Sequence, residues 1–396
     1  QRQMCIRDRV RSVLGMSIAG TGDWFRRQFT AKFDEQAEKI GRFNLAIFGK
    51  TGVGKSTLIN AIFGEDIAET GIGEPVTRDS HLYMHQSGHF GVLDTRGLEI
   101  GQDNQAILDD LAAYVREMRR LELKDQVHVA WYCVRASDRR FEETEAEFVR
   151  RLDELGLPVL LVLTQVPRRK DDYHPDALRL AEEIRAMDLP VHGAAAFMTY
   201  AKADEFAGFD AHGLHEVLDA TFQVAPQGVQ QALVAAQQID FSRKRSQARR
   251  AIDIATTAAA AAGATPIPFT DAAILVPIQL TMMASISHTY DINLDRAVTA
   301  SLAATAGATT AGRSLVSNLL KMVPSIGSLV GGAINAGVAS GLTWAMGQAW
   351  TVVCIRIAKG GLVGLDGALD NDAVRTLFLS EFKDQARLRL TGGDAA

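Results

Sequence analysis

The residues whose spacing most directly suggests chemistry are Gly49-Lys50-Thr51-Gly52-Val53-Gly54-Lys55-Ser56. Glycines at the first, fourth and sixth places let the backbone wrap so that its N–H groups face inward on an anion. A lysine and a hydroxyl follow at once. The spacing G-x-x-x-x-G-K-[ST] marks a polyphosphate cradle when a strand precedes it and a helix follows. Both conditions are met, by FNLAIF (43–48) before and TLINAIFG (57–64) after. The positive end of that helix adds to the anion site. Lys55 is expected to reach the β- and γ-phosphates of a nucleoside triphosphate, Ser56 to ligate Mg²⁺, and Thr57 to lie beside the phosphates.

A second group follows about forty residues on. Asp94-Thr95-Arg96-Gly97 closes the apolar run HFGVLD (89–94). An aspartate at such a strand end is placed to hold a magnesium-bound water, and the Gly97 N–H to touch the γ-phosphate. Between the two groups lies GIGEPVTRDS, where Thr77 is the first candidate for a hydroxyl on Mg²⁺ and Ser80 the second. The expected metal set is therefore Ser56, Thr77 and Asp94. Lys55, Thr77 and Gly97 are expected to act on the reacting phosphate.

These residues need a scaffold, and the chain supplies an alternation of strand and helix from 41 to about 225. HLYMHQ (81–86) and HFGVLD flank Ser87-Gly88 as a hairpin. VHVAWYCV (127–134), PVLLVLTQ (158–165) and the weaker AAAFMTYA (194–201) are further apolar runs separated by charged, helix-favouring stretches. The pattern predicts an α/β domain with a mostly parallel six-stranded sheet and helices on both faces. Before it, residues 10–40 carry Phe25, Phe29 and Phe33 at helical spacing, an amphipathic helix expected to pack on its own domain. After it, residues 226–369 predict an all-α, Ala/Gly-rich domain, and 370–396 a polar helix and tail. Residues 1–9, QRQMCIRDR, resemble a translated sequencing-adapter string and are set aside from the fold.

Composition excludes little but excludes it usefully. A net charge of −5 gives no general argument for nucleic-acid binding. Cys5, Cys133 and Cys354 are too far apart for a disulfide framework or a zinc site, which fits a reducing compartment. The nine histidines form no ligand pattern. No secretory leader pattern opens the chain, so secretion is not expected.

GKTGVGKSTLINAIFG, PVTRD and LDTRG together resemble the translation-factor-like small GTPases of the Era, TrmE and septin group. HVAWYCVRASDRRFEETEAEFVRRL is similar to the same region in bacterial relatives and, more distantly, in immunity-related GTPases. TPIPFTDAAILVPIQLTMMASISHTYDI resembles the YcjF-type domain that follows such G domains in bacteria. The resemblance implies GTP and GDP as ligands with Mg²⁺, whereas the residues alone imply a purine triphosphate. It also places the base-reading motif at Thr164-Gln165-Val166-Pro167. The family has Lys where Gln165 stands and Asp where Pro167 stands. A Gln stem still covers a ring face, but proline accepts no hydrogen-bond pair, and losing such contacts relaxes base choice. Asp171, Asp172 or the loop after Thr199 (YAKAD) are the alternatives for rescuing guanine recognition. Leu98 occupies the place of a water-orienting glutamine, so slow hydrolysis is expected, with Glu99 the nearest polar substitute. A homodimer through the G domain stays open.

From 254 to 355 the chain has six charged residues, Asp271, Asp291, Asp295, Arg296, Arg313 and Lys321. RKRSQARR (243–250) precedes this region, and Arg356 and Lys359 follow it. Gly327, Gly331, Gly337 and Gly341 form two G-x-x-x-G pairs, and Trp344 and Trp350 fit an interfacial belt. A membrane or helical partner through 254–355 is expected, with the protein cytoplasmic at the inner face of the cell membrane. The competing reading is a soluble bundle of closely packed helices, supported by the Ala/Thr character of 297–312 and a mean hydropathy near zero.

Overall fold

The computed structural model describes residues 18–64, 73–75, 80–95, 104–193, 195–263, 271–293, 295–300, 336–364 and 367–390. Two compact units emerge: Ile40–Arg243, and a helical unit of Gln1–Lys39 with Lys244–Ala396.

The first unit is a seven-stranded sheet. Its strands are β1 (Phe43–Phe48), β2 (Gly73–Pro75), β3 (Ser80–Met84), β4 (Phe90–Thr95), β5 (Val129–Arg135), β6 (Val159–Thr164) and one that follows a small hairpin. That hairpin is β7 (Arg168–Arg169) with β8 (Asp172–Tyr173), and the seventh sheet strand is β9 (Phe197–Met198). The order is β2-β3-β4-β1-β5-β6-β9. β4, β1, β5, β6 and β9 run parallel, while β3 is antiparallel to β4 and to β2. The sequence predicts six of these strands. The seventh, β2, is a three-residue edge piece containing Pro75, a residue confined to sheet edges by its missing N–H.

The parallel strands are buried on both faces, which is why they read as unbroken apolar runs. Alternate residues feed two separate cores. Ala46, Phe48, Tyr132, Val134, Leu161 and Leu163 point to one face. There α3 (Asn104–Met118), α4 (Glu143–Glu154) and α5 (Pro175–Ala186) cover them, through residues such as Val115, Phe148 and Leu180. Leu45, Ile47, Trp131, Cys133, Leu160 and Val162 point to the other. That face is covered by α2 (Lys55–Phe63), α6 (Leu214–Val224) and α7 (Gln230–Ala236). Trp131 is fully buried, and its Nε1 donates to Thr221 Oγ1 at 3.1 Å.

One polar residue sits inside β1. Asn44 donates to the carbonyls of Lys124 (2.9 Å) and Gln126 (2.7 Å), and its N–H donates to His128 Nδ1. Burial lowers the His128 pKa, so the ring is neutral with its proton on Nε2, directed at Leu123 O. Gly91 is required opposite: a Cβ there would lie 2.4 Å from Asn44 Oδ1.

The helical unit comprises α1 (Ile18–Ile40), α8 (Phe241–Gly263), α9 (Asp271–Thr289), α10 (Ala336–Ala358) and α11 (Asn371–Leu390). Phe29 and Phe33 on α1 are buried, and the Phe33 ring lies 3.8 Å from that of His288 on α9. Small residues set the spacing. A Cβ on Gly347 would come within 2.6 Å of Ile252 and 2.8 Å of Met282. Trp350 corrects the expectation of an interfacial belt. It is wholly buried, its Nε1 donates to Met283 O at 3.0 Å and it meets Phe378 edge-on. Lys244, read as part of a basic flank, is also interior, and its ammonium donates to Thr289 O at 2.9 Å. One described helix, Ala336–Ala358, is long and apolar enough to cross a membrane, and most of it is buried. Gly327, Gly331, Arg313, Lys321 and Cys5 lie outside the described residues.

Candidate nucleotide site

The site forms where β1 ends and α2 begins, at the carboxyl end of the parallel strands, where open α/β sheets bind ligands. Gly49, Gly52 and Gly54 all have positive φ, 130°, 79° and 97°. That conformation turns successive N–H groups into one concavity. Gly49 is required for a second reason: a Cβ there would lie 2.2 Å from the Cys133 carbonyl oxygen of β5. A Cβ on Gly52 would meet nothing within 4 Å, so only its backbone conformation calls for glycine there. Val53, 2 % exposed, plugs the loop into the core below. Lys55 Nζ donates to Gly49 O (2.8 Å) and Lys50 O (3.2 Å), so its ammonium lies across the loop. Ser56 and Thr57 are exposed in the first turn of α2. Thr51 is exposed at the loop tip.

Lys50 makes a contact that no local pattern reveals. Its ammonium pairs with Glu145 of α4 at 3.1 Å, and Glu142 is 3.8 Å away. Glu145 is buried, and it also accepts from Tyr132 Oη and from the Glu142 N–H. The loop is thereby tied to the far helix through a residue ninety-five positions on. Cys133, directly under Gly49, has its thiol pushed up to about 12 by burial, so it stays protonated and is no nucleophile.

Thr164 and Gln165 meet the loop from the end of β6. Thr164 Oγ1 donates to Val53 O at 2.5 Å, with Val134 O at 3.3 Å. Gln165 has a left-handed φ of 54°, and its Nε2 lies 3.5 Å from Val53 O. A cavity of about 200 Å³ opens here, lined by Gly54, Thr57, Thr164, Gln165 and the Tyr200-Ala201-Lys202 loop. The loop after Thr199 therefore reaches the place where a base would lie. Asp171 and Asp172 do not line it. Both are exposed, Asp171 in the β7–β8 turn and Asp172 on β8 itself, and Pro167 closes that hairpin by accepting the His174 N–H. Lys202 is the cavity cation that motif reading did not single out.

Asp94 stands on β4 opposite Ile47 of β1, two residues before the cradle. Its placement on the neighbouring strand and the exposed Ser56 suit a cation bound beside the phosphates. Its side chain, and Thr77, Arg78, Arg96, Gly97, Leu98 and Glu99, lie outside the described residues. Among the described residues no cluster of His, Cys, Asp or Glu could hold a metal by itself.

Strand, three left-handed glycines, lysine and helix define a P-loop nucleotide-binding α/β domain. Residues 44–165 match the family described as 50S ribosome-binding GTPase, and residues 229–368 match the domain of unknown function DUF697. The chain thus carries a G domain of that family followed by a DUF697 helical domain. Cell division control protein 10 of Saccharomyces cerevisiae is 25% identical over 147 residues, covering 30% of this chain and 46% of that protein. GTPase Der of Limosilactobacillus reuteri is 30% identical over 155 residues, covering 38% and 33%. The chain spans less than half the length of these curated relatives. Among solved structures, Era of Aquifex aeolicus matches with a TM-score of 0.32 and 16% identity, over 57% of this chain and 69% of that one.

Proposed function

We propose that the chain is a slow, Mg²⁺-dependent GTPase switch whose nucleotide state is passed to the helical region 254–355. The observation that carries this reading is the joint construction of phosphate cradle and base cavity: Thr164 and Gln165 touch the loop that holds the phosphates. Ser56, Thr77 and, through a water, Asp94 are the residues proposed to hold Mg²⁺. The ion would neutralise charge on the β- and γ-phosphates. Lys55 would leave the Gly49 and Lys50 carbonyls for the phosphate oxygens, a stronger partner because it is charged.

Catalysis on this reading is positioning and charge stabilisation without a covalent intermediate. Leu98 offers no hydrogen bond to an attacking water, so turnover is slow until a partner, a second protomer or Glu99 supplies one. A second reading, relaxed purine choice, is favoured by the cavity itself. Its described lining has no carboxylate to pair with guanine N1 and N2, and Pro167 stands where one is expected. A competition titration on the full chain with Mg²⁺ separates the two. Strong preference for GTP over ATP, with turnover below about 1 s⁻¹, is the expected result. Equal binding of both nucleotides reduces the assignment to a P-loop NTPase, and faster turnover by purified protein refutes the slow switch.

The cellular placement proposed is the cytoplasmic face of the membrane, reached through 254–355. The length and apolarity of Ala336–Ala358 are compatible with it, though most of that helix is packed inside the helical unit. Carbonate extraction of native membranes is expected to leave the protein in the pellet; complete release into the soluble fraction sinks integral insertion.

A further inference from the structure

The phosphate loop rests on the sheet through its backbone at two places. Gly49 lies against the Cys133 carbonyl, and the Val53 carbonyl accepts the Thr164 hydroxyl. Lys50 lies between them, and its side chain adds a hold of a different kind. Its ammonium meets Glu145 Oε2 at 3.1 Å, with Glu142 Oε1 3.8 Å away.

Glu145 is a fixed point. It is 6% exposed, and its Oε2 also accepts the Glu142 N–H at 3.0 Å, closing the capping box of α4. Its Oε1 accepts from Tyr132 Oη of β5 at 3.3 Å. Its helix neighbours Ala146, Phe148 and Val149 are buried in the core. A carboxylate held from both sides does not follow the loop, so the loop must come to it. Removing the cation from so buried a carboxylate is costly. Glu142 is a weaker partner, since it pairs with Arg140 at 3.1 Å and caps the Glu145 N–H.

The residue held in this way also sets where Lys55 rests. The Lys50 carbonyl accepts from Lys55 Nζ at 3.2 Å, beside Gly49 O at 2.8 Å. Whatever moves Lys50 therefore moves the support of the lysine expected to meet the phosphates. Small displacements of such positioning groups are expensive.

We infer that Glu145 is a positioning residue for the nucleotide: acting through Lys50, it holds the loop in the shape that receives the phosphates. The inference rests on the reading of this loop as a nucleotide site. Lys50 serves as the tether and not as a phosphate ligand, because Glu145 engages its ammonium.

The test uses the full chain with Mg²⁺ and a fluorescent GTP analogue read by anisotropy, with thermal melts alongside. Lys50→Met and Glu145→Gln are each expected to weaken binding about tenfold, and the double variant no further than the worse single. Lys50→Arg, which can still pair with the carboxylate, is expected to bind within about threefold of the wild type. Glu145→Gln can keep its oxygen on the Glu142 N–H and turn its amide N–H toward Tyr132 Oη, so its melt is expected to stay near that of the wild type. If Lys50 were itself a phosphate ligand, Glu145→Gln would free it and tighten binding. If the pair served only the fold, the single variants would melt lower yet bind as the wild type does. Either pattern, or single losses that add in the double variant, overturns the inference alone. A wild type that binds no nucleotide overturns the nucleotide reading and this inference with it.

Discussion

Replacing Gly49 by alanine probes the place where the phosphate cradle rests on the sheet. Two effects act at once. The φ of 130° is one that side chains rarely adopt, and holding it is expected to cost about 1–3 kcal/mol. The added Cβ would also stand 2.2 Å from Cys133 O and 3.1 Å from its carbonyl carbon, both backbone atoms of a central strand. Neither can rotate away, so the loop must move by about 1 Å to reach an ordinary contact distance. A shift of that size at a positioning loop costs on the order of 100-fold. Gly52→Ala is the control. Its φ of 79° imposes the same kind of strain, but a Cβ there meets nothing within 4 Å. Binding of a fluorescent GTP analogue, followed by anisotropy with Mg²⁺, is expected to fall about 100-fold in Gly49→Ala and at most about tenfold in Gly52→Ala. Thermal melts are expected to drop by several degrees in the first, at about 2–4 °C per kcal/mol for a domain of this size. If Gly49→Ala binds within about threefold of the wild type, or if both variants lose affinity equally, the close approach to β5 is not what requires glycine.

Thr164→Val keeps the side-chain shape but removes the donor to Val53 O, and is expected to lose about 1–3 kcal/mol in urea unfolding together with nucleotide affinity, while Thr164→Ser retains both. A Val variant as stable and as tight as the wild type shows that the hydroxyl does not hold the loop. Lys244 has its pKa pushed down to about 7 by burial, against the opposing attraction of Asp291. Between about 7 and its usual 10.5 the unfolded chain holds the extra proton, so this group makes stability rise with pH across that window. Below about 7 the contribution is lost. The difference in unfolding free energy between wild type and Lys244→Met is expected to change across pH 7 to 10, the wild type gaining as pH rises. Parallel pH profiles for the two chains refute it.

The cradle and the central strands were legible because their information is local. The residues from Gly49 to Ser56 are contiguous, and a strand buried on both faces must be apolar except where a polar side chain finds partners inside, as Asn44 does, so FNLAIF and VLLVLT announce themselves. The three-residue β2 and the two-residue strands of the β7–β8 hairpin are too short for any periodicity, and they exist only because a neighbouring strand pairs with them. The composition change near 226 likewise gives no sign that Ala232, Leu233 and Ala236 complete a core of the sheet.

The sequence by itself determined that a loop with the glycines, lysine and hydroxyl of a triphosphate cradle joins a strand to a helix, since the backbone turns and the charge are written into one short run. Only the tertiary structure decided which distant groups serve it. Glu145 reaches Lys50 because α4 crosses the face next to the loop. The Tyr200–Lys202 loop, rather than Asp171 or Asp172, borders the base cavity because β9 pairs in parallel with β6 while Asp172 is paired into a hairpin. The same holds in the helical unit. Trp350 and Lys244 read as surface residues by type, yet both are buried because helices from distant parts of the chain, α9 above all, offer their indole and ammonium groups carbonyl partners inside. Burial of a polar group depends on partners brought from elsewhere in the chain, and residue type alone does not specify them.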